Sequence, residues 1–535
     1  IGGRENLHDC IKALIKNGAS LNIQNEDGKS ALMICIQSKL DEQTQMAVMT
    51  ALVEAGAALD LHDASNQTAL MMTFKLNLTE TARNLSSVLL QAGADPNIEF
   101  IDSGGRVHSA LIFSVRYRSP SLLQNLIEKG ATVSGRSGRI ALQMAAELGS
   151  IEKVRLLLSH GADTGMDPEN QGETALLNAI VGGFPKIVQA LLEANADPNQ
   201  CGKYFNEGFD TLQTTYGPGK ELPEEEIPMR SPLWVASTRF ENSAEICQML
   251  IDAGAWIHFQ DERCISPVEA AAVSNRRENL PVLLGAGGEV NPPEDRQTQP
   301  LLFAAINGNS RICQMLVQAG ANPNAVVWPK TLGSYLPNRN PFEIERCSFS
   351  KLLPTQQYFQ VGQTPLMLTV INSMGCGKLG GDSHDDTFET LIRAGADLEM
   401  QDIDGNTVLH LSLIFKKWLF ARKLRKLGAN LKIQNKVGCS PLALIIAALD
   451  QAGGAAGYEC TCIGPFGVLW AEPVDDGDLA PDSLDQLRET DGYRYARAHM
   501  ARMNETSRDV ICICGRINAG LSRHYSSRPS AFLLE

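Results

Sequence analysis

The residues best able to do chemistry in this chain are its histidines, its cysteines and one glycine-rich segment holding a lysine. The histidines stand singly, at His8, His62, His108, His160, His258, His384, His410, His499 and His524. A metal site needs such ligands clustered, and general-base catalysis needs one beside a nucleophile; neither spacing occurs. Ser383-His384-Asp385-Asp386 has the residue types of part of a catalytic set, but it lies in a glycine-rich interruption. Gly375-Cys376-Gly377-Lys378-Leu379 invites a phosphate-loop reading that fails. That loop needs a glycine where Asn372 stands and a Ser or Thr where Leu379 stands, so the stretch reads as a flexible connector. Cys460-Thr461-Cys462 and Cys512-Ile513-Cys514 are spaced more tightly than the cysteines of closed zinc sites. No catalytic, cofactor-binding or metal-ligating residue is assigned, and neither an enzyme activity nor a cofactor is expected.

One charge feature stands apart. Lys416, Lys417, Arg422, Lys423, Arg425 and Lys426 crowd a short stretch of a chain whose net charge is −14. The stretch is either a solvated helix face with cations near a helix end, or a docking face for an acidic peptide, an anionic lipid head group or a nuclear-import carrier. The overall acidity argues against nucleic-acid partners, which require a basic surface.

The elements that must position these residues repeat. A leucine-rich helix, then Gly-Ala, then a polar loop recurs at Gly18-Ala19, Gly56-Ala57, Gly93-Ala94, Gly130-Ala131, Gly161-Ala162, Asn195-Ala196, Gly254-Ala255, Gly287-Gly288, Gly320-Ala321, Gly395-Ala396 and Gly428-Ala429. Successive spacings are 38, 37, 37, 31, 34, 59, 33, 33, 75 and 33 residues, a period near 33 with two large insertions. About twelve residues after most of these sites comes a second phrase: Thr174-Ala175-Leu176, Ser231-Pro232-Leu233, Thr364-Pro365-Leu366, Thr407-Val408-Leu409-His410 and Ser440-Pro441-Leu442. Ser30, Thr68, Ser109 and Ser266 mark equivalent places, whereas Ile140 and Gln299 break the rule. The Ser or Thr caps a helix start and Pro fits the first helical position, where its missing N–H costs nothing. In the best-formed unit, Gly149 sits where the chain must turn and Gly161 closes the second helix in a left-handed conformation.

Both phrases at this period resemble the ankyrin-repeat family, over roughly residues 5 to 450 and about eleven degenerate repeats. Only Thr407 to His410 carries the final histidine of the family's Thr-Pro-Leu-His phrase. The resemblance implies an all-α solenoid of helix–turn–helix units with projecting β-hairpin loops, and a bond from His410 within its repeat turn. It implies that hairpin tips and first helices line a concave surface for protein partners. The candidate tip residues are Glu26, Asp27, Asp63, Asn66, Glu169, Asn170, Asp261, Glu262, Asp402 and Asp404; Lys416, Lys417, Arg422 and Lys423 join them as candidate contacts. Trp234, Trp256 and Trp328 are candidate anchors, Trp234 equally a core residue.

The organisation expected is N-terminal repeats over 1–199, an insertion loop over 200–229, central repeats over 230–324, an aromatic-containing insertion over 325–361, C-terminal repeats over 362–452 with a loop insertion at 372–386, and a weakly ordered tail over 453–535. The first insertion reads as a solvated or a binding loop. The second reads as a structural cover or an aromatic anchor for a partner. Thirteen scattered cysteines, several in apolar helical stretches, point to a reducing compartment, hence the cytoplasm or nucleus. The longest strongly apolar run, Pro441 to Leu449, is under half the ~20 residues that cross a bilayer. A chain beginning at Ile1 is expected to be a fragment. The function expected is a non-catalytic protein–protein interaction scaffold or adaptor; the alternative is the cytosolic array of a larger channel, kinase or ubiquitin-ligase substrate receptor.

Overall fold

In the computed structural model the described residues are 5–38, 40–76, 79–103, 105–116, 120–166, 174–203, 229–239, 242–259, 265–292, 299–327, 361–373, 384–453 and 488–498. They fall into two compact units, one formed by residues 1–207 and 218–288, the other by residues 208–217 and 289–535.

The first unit opens with α1 (Glu5–Lys16) and continues as helix pairs. These are α2 (Ala31–Gln37) with α3 (Glu42–Glu54), α4 (Ala69–Thr73) with α5 (Thr79–Gln91), and α6 (Ala110–Arg116) with α7 (Pro120–Glu128). Next come α8 (Arg136–Glu147) with α9 (Ile151–Ser159), α10 (Ala175–Val181) with α11 (Pro185–Glu193), α12 (Pro232–Thr238) with α13 (Ser243–Asp252), and α14 (Pro267–Val273) with α15 (Leu280–Gly285). The second unit holds α16 (Pro300–Ile306) with α17 (Ser310–Gln318), α18 (Pro365–Asn372) with α19 (His384–Arg393), α20 (Val408–Ile414) with α21 (Trp418–Lys426), and then α22 (Pro441–Gly453). Within each unit a first helix packs on its own second helix and on the first helix of the next pair, as α8 does on α9, α6 and α10, and as α18 does on α19, α16 and α20. The fold is all-α. Its described strands form two short antiparallel pairs, β1 (Glu99–Ile101) with β2 (Val107–Ser109) and β3 (Gly202–Lys203) with β4 (Met229–Arg230).

Local chemistry starts and stops these helices where expected. The side chains of Ser30, Thr68, Thr174, Ser231, Ser266 and Thr364 each accept the backbone N–H three residues on, satisfying a donor the helix leaves unpaired. Where Ile140 replaces the cap, α8 runs on towards its N-terminus and starts instead after Gly135, at φ 101°. At the other end one arrangement recurs in every repeat. The N–H after the closing glycine reaches back to the carbonyl of a leucine five residues earlier, as Ala162 does to Leu157 and Ala429 to Leu424. This is the Schellman closure, which needs a left-handed residue. Gly161 supplies it at φ 79° and Asn195 at φ 61°, because asparagine tolerates that region best among residues with a side chain. Gly149 answers a second constraint: a Cβ there would lie 2.6 Å from the Phe184 ring of the next repeat.

Apart from Leu14 in α1, which is exposed, the bonded leucines are buried, Leu89, Leu126, Leu157, Leu191, Leu316 and Leu391 fully so, with alanines such as Ala141, Ala145 and Ala146 between them. The insertions leave this stacking intact because their ends are tied together. β3 pairs with β4 across the first, and across the second Val327 and Gly362–Gln363 exchange backbone bonds of 2.8 and 3.0 Å.

Since each repeat touches only its neighbours, stability is close to a sum of repeat and interface contributions. Leu157→Ala is expected to cost about 2–5 kcal/mol. Hydrogen exchange should rise first around residues 130–200; a uniform rise along the chain would contradict the repeat-by-repeat picture.

Candidate protein-binding surface

The tips are braced by a residue that the sequence reading did not single out. Four places after the closing residue stand Asn22, Asn97, Asn199, Asn291 and Asn324. The Asn97 side chain accepts the Thr132 N–H at 2.7 Å and donates to the Gly130 carbonyl at 3.1 Å, both in the next repeat. Asn199 bonds Trp256 N–H and Gly254 O at 2.8 and 3.1 Å. Asn291 bonds Asn322 N–H and Gly320 O, and Asn324 bonds Asp397 N–H and Gly395 O. Asn22, Asp60 and Glu399 make the accepting half of the bridge, to Ala58, Asp95 and Asn430. The recurrence at fixed distance from Gly-Ala was the available signal. A residue with both a carbonyl and an amide is what one turn needs to satisfy the next.

The loop heads hold a second brace. Asp63 accepts the N–H groups of Ser65 and Gln67, Asp402 those of Asp404 and Asn406, and Asn25 and Asn435 do the same in their own loops. Asp63 and Asp402 are therefore corrected as partner-facing candidates: both are buried, because the turn's own N–H groups draw each carboxylate inward. Asn66 is exposed but occupies a left-handed turn position at φ 59°, where its counterparts are glycines. Glu26, Asp27 and Asp404 face solvent, the last two lending backbone carbonyls to the next tip through Ala64 and Lys436 N–H. Trp256 is 60% exposed at a tip, whereas Trp234 is a core residue with the Arg230 guanidinium 3.8 Å over its ring. Glu169, Asn170, Asp261, Glu262 and Trp328 lie outside the described residues, as do the tail cysteines.

The far ends of the first helices show where the cationic and histidine side chains go. Terminal carbonyls there lack helical partners. Arg276 Nε reaches the Thr238 carbonyl at 2.7 Å and Asn279 the Ser237 carbonyl at 2.9 Å. Lys153 bonds Val115 O and Lys417 bonds Ser373 O; burial lowers both ammonium pKa values. His384 does the same through Nε2 to Ile306 O at 3.1 Å, its ring resting against Gly308, so it fastens two repeats; Ser383 beside it lies outside the described residues. Lys423 binds Glu389 at 3.1 Å and Asp385 at 3.6 Å beside the Phe388 and Phe420 rings. Lys417 and Lys423 are thus taken up within the stack, and Lys416 is half-buried at φ 56°. Arg422 sits with Leu419 and Lys426 on the outer face of α21, whose inner face is Phe420, Ala421 and Leu424.

His410 bonds within its turn as its place in the phrase implies. Its Nδ1 accepts the Thr407 N–H at 3.1 Å and its Nε2 donates to Cys439 O at 3.0 Å, a pattern only neutral imidazole can make. Burial lowers its pKa accordingly. His160 bonds the Leu156 carbonyl at its helix end. Burial pushes the thiols of Cys35, Cys247 and Cys439 up to about 11, 12 and 12, which suits core residues and not nucleophiles. Among the described residues no three His, Cys, Asp or Glu side chains converge as a metal site would require, and no helix is long and apolar enough to cross a membrane.

Two outcomes follow from this geometry. Asn97→Ala removes the bridge from the Thr132 N–H and Gly130 carbonyl, both open to water, at an expected cost of about 0.5–1.5 kcal/mol, read as a lowered urea midpoint and faster exchange near residues 130–134. Asp402 has the opposite sign, because burial raises its carboxyl pKa to about 6. Stability fully present below the unfolded value near 3.8 is lost as pH rises through 6. Asn435 does the equivalent job uncharged, so Asp402→Asn should stabilise by about 1–3 kcal/mol at pH 8 and by progressively less towards pH 4. An equal difference at both pH values would remove the charge from the explanation.

The comparisons with known proteins agree with this architecture. The family model "Ankyrin repeats (3 copies)" matches residues 3–100 and 110–200, and the model "Ankyrin repeat" matches residues 299–327. The chain is 29% identical over 150 residues to the B-cell lymphoma 3 protein homolog of Mus musculus, covering 27% of this chain and 32% of that protein. It is 38% identical over 86 residues to the Ankyrin repeat, SAM and basic leucine zipper domain-containing protein 1 of Eulemur macaco macaco, covering 15% and 18%. It is 36% identical over 95 residues to the Protein fem-1 homolog A-like of Mus musculus, covering 17% and 14%. The chain thus spans about a third or less of the length of each of these relatives. Stacked helix pairs, glycine-closed turns and bridged tips, together with these matches, make the chain a member of the ankyrin-repeat family.

Proposed function

We propose that this chain is a non-catalytic interaction scaffold or adaptor that holds protein partners on its tips and first helices. One observation carries the reading. The polar groups best suited to chemistry are bonded between repeats, while Glu26, Asp27, Asp404 and Trp256 face solvent at the tips. An exposed tryptophan rimmed by polar residues is the kind of anchor that dominates protein interfaces. The array also fits as part of a larger protein, such as a channel, a kinase or a ubiquitin-ligase substrate receptor. One relative's name joins ankyrin repeats to SAM and basic leucine zipper domains, the kind of combination this reading supposes. The cytoplasm, or the nucleus, is the proposed location, supported by Cys35, Cys247, Cys313 and Cys439 being free thiols in buried positions.

The test is affinity capture from cell lysate on the whole chain and on a variant carrying Trp256→Ala, Glu26→Lys, Asp27→Lys and Asp404→Lys, each followed by mass spectrometry. A small reproducible partner set should survive moderate salt on the parent. It should fall at least about tenfold on the variant, since loss of a buried aromatic anchor typically costs 2 kcal/mol or more, while circular dichroism stays unchanged. Equal capture by both proteins would place the binding elsewhere, and no specific set would count against the scaffold.

A further inference from the structure

The last two repeats carry a surface unlike the rest of the molecule. From Lys416 to Lys436 there are eight lysines and arginines and no acidic residue. Although Lys417 and Lys423 bond to the preceding repeat, Lys426, Lys432 and Lys436 are exposed and Arg422 lies on the outer face of α21. Leu427 and Val437, 48% and 47% exposed, stand among these cations, so the surface combines charge with apolar contact. Further along, residues 472–491 hold the complement: eight acidic residues against a single Arg488, with Val474, Leu479, Leu484 and Leu487 between them.

The end of that acidic stretch is anchored on the same repeat. Residues 491–498 are helical, with Tyr493 and Ala496 buried and Tyr493 N–H capped by the Thr490 hydroxyl at 3.2 Å. Gly492 lies so close to the final tip that a Cβ on it would meet the Gly438 carbonyl at 2.1 Å and Cys439 Cα at 2.9 Å. Asp491, adjacent to Gly492, is therefore held beside the loop that contains Lys436. In the sequence the stretch 472–491 lies between α22, which ends at Gly453, and this anchor, so the chain tethers it to the repeats that carry the cations.

We propose that the basic surface of the last two repeats is a docking surface whose occupant is this chain's own acidic segment, residues 472–491. A segment tethered in this way is present at about millimolar effective concentration, so an outside acidic chain binds there only by displacing it. Attraction between exposed charges is screened over about 10 Å at 0.1 M salt, so occupancy weakens as ionic strength rises. The proposal is independent of the tip reading, whose test uses other residues.

The experiment uses the whole chain and a variant with Asp475, Asp476, Asp478, Asp482 and Asp485 each changed to Asn. A fluorescent peptide of the sequence 472–491 is titrated into both by anisotropy at low and at moderate salt. The peptide should bind the variant at least about tenfold more tightly than the parent, through loss of the tethered competitor, and the variant's affinity should fall with salt. Zero-length carbodiimide cross-linking of the monomeric parent should join Lys426, Lys432 or Lys436 to carboxylates of 472–491. Equal peptide affinity for the two proteins would overturn the proposal, as would binding to neither or an absence of such cross-links. Circular dichroism and urea unfolding of both proteins check that the five substitutions leave the fold unchanged. Lys432→Glu with Lys436→Glu supplies a second arm, in which the peptide should no longer bind the Asp-to-Asn background; retained binding would overturn the proposal equally.

Discussion

The rest of the structure depends on one exchange, in which the side-chain amide of an asparagine in one repeat satisfies the backbone of the next repeat's closing turn. A helix that ends in a Schellman turn leaves the carbonyl of its glycine and the N–H two residues later pointing outward. Asn97 and Asn199 meet both at once, with the carbonyl oxygen accepting and the amide donating. A carboxylate can make only the accepting bond, which is what Asp60 and Glu399 do. Registry between neighbours is therefore set by hydrogen bonds of fixed geometry, and the apolar faces between them fill in behind. Buried leucines and alanines supply the driving force, but non-directional burial alone would let one repeat slide or rotate on the next.

The same logic operates at the opposite end of the helix pairs. There the unpaired carbonyls of a first helix receive donors of whatever kind the next repeat offers, from Asn279 and Arg276 to Lys153, His384 and Lys417. The requirement is a donor at that place, not a particular residue, so the degenerate sequence is compatible with a regular fold. It also accounts for the structural bonds that the histidines and buried thiols make. His384 donates to a carbonyl of the preceding repeat, His410 is held in a pair of bonds that needs neutral imidazole, and the buried thiols are held away from their thiolate form.

What a partner meets is the remainder. Once Asp63 and Asp402 turn inward and Lys417 and Lys423 reach back to α18 and α19, the accessible chemistry among the described residues includes a few acidic tips, the exposed Trp256 and the outer cations of the last repeats. A scaffold built this way separates stability from recognition: changing an exposed side chain leaves the bridges untouched, whereas changing a bridging asparagine disturbs two repeats.

Much of this was legible in the sequence. The Gly-Ala and Thr-Pro-Leu phrases carry helix starts and stops by local chemistry, and local chemistry depends on neighbours in the chain, so the helix pairs and the caps could be read directly, while the role of His410 came from the family resemblance. The asparagine bridge left a trace too, as a recurrence four residues after five of the closing turns, but its meaning required knowing which backbone groups lie opposite. Asp63 and Asp404 look alike as letters; only the folded loop shows that one carboxylate lies inside its turn and the other outside. Trp234 and Trp256 divide in the same way, one under Arg230 in the core and one at a tip. By itself the sequence determined the repeat and its local geometry, because those follow from contacts a few residues apart. The tertiary structure alone decided which polar side chains hold the stack together, because those bonds join atoms about thirty or more residues apart, and it decided which face a partner, because that depends on how each loop closes around its own N–H groups.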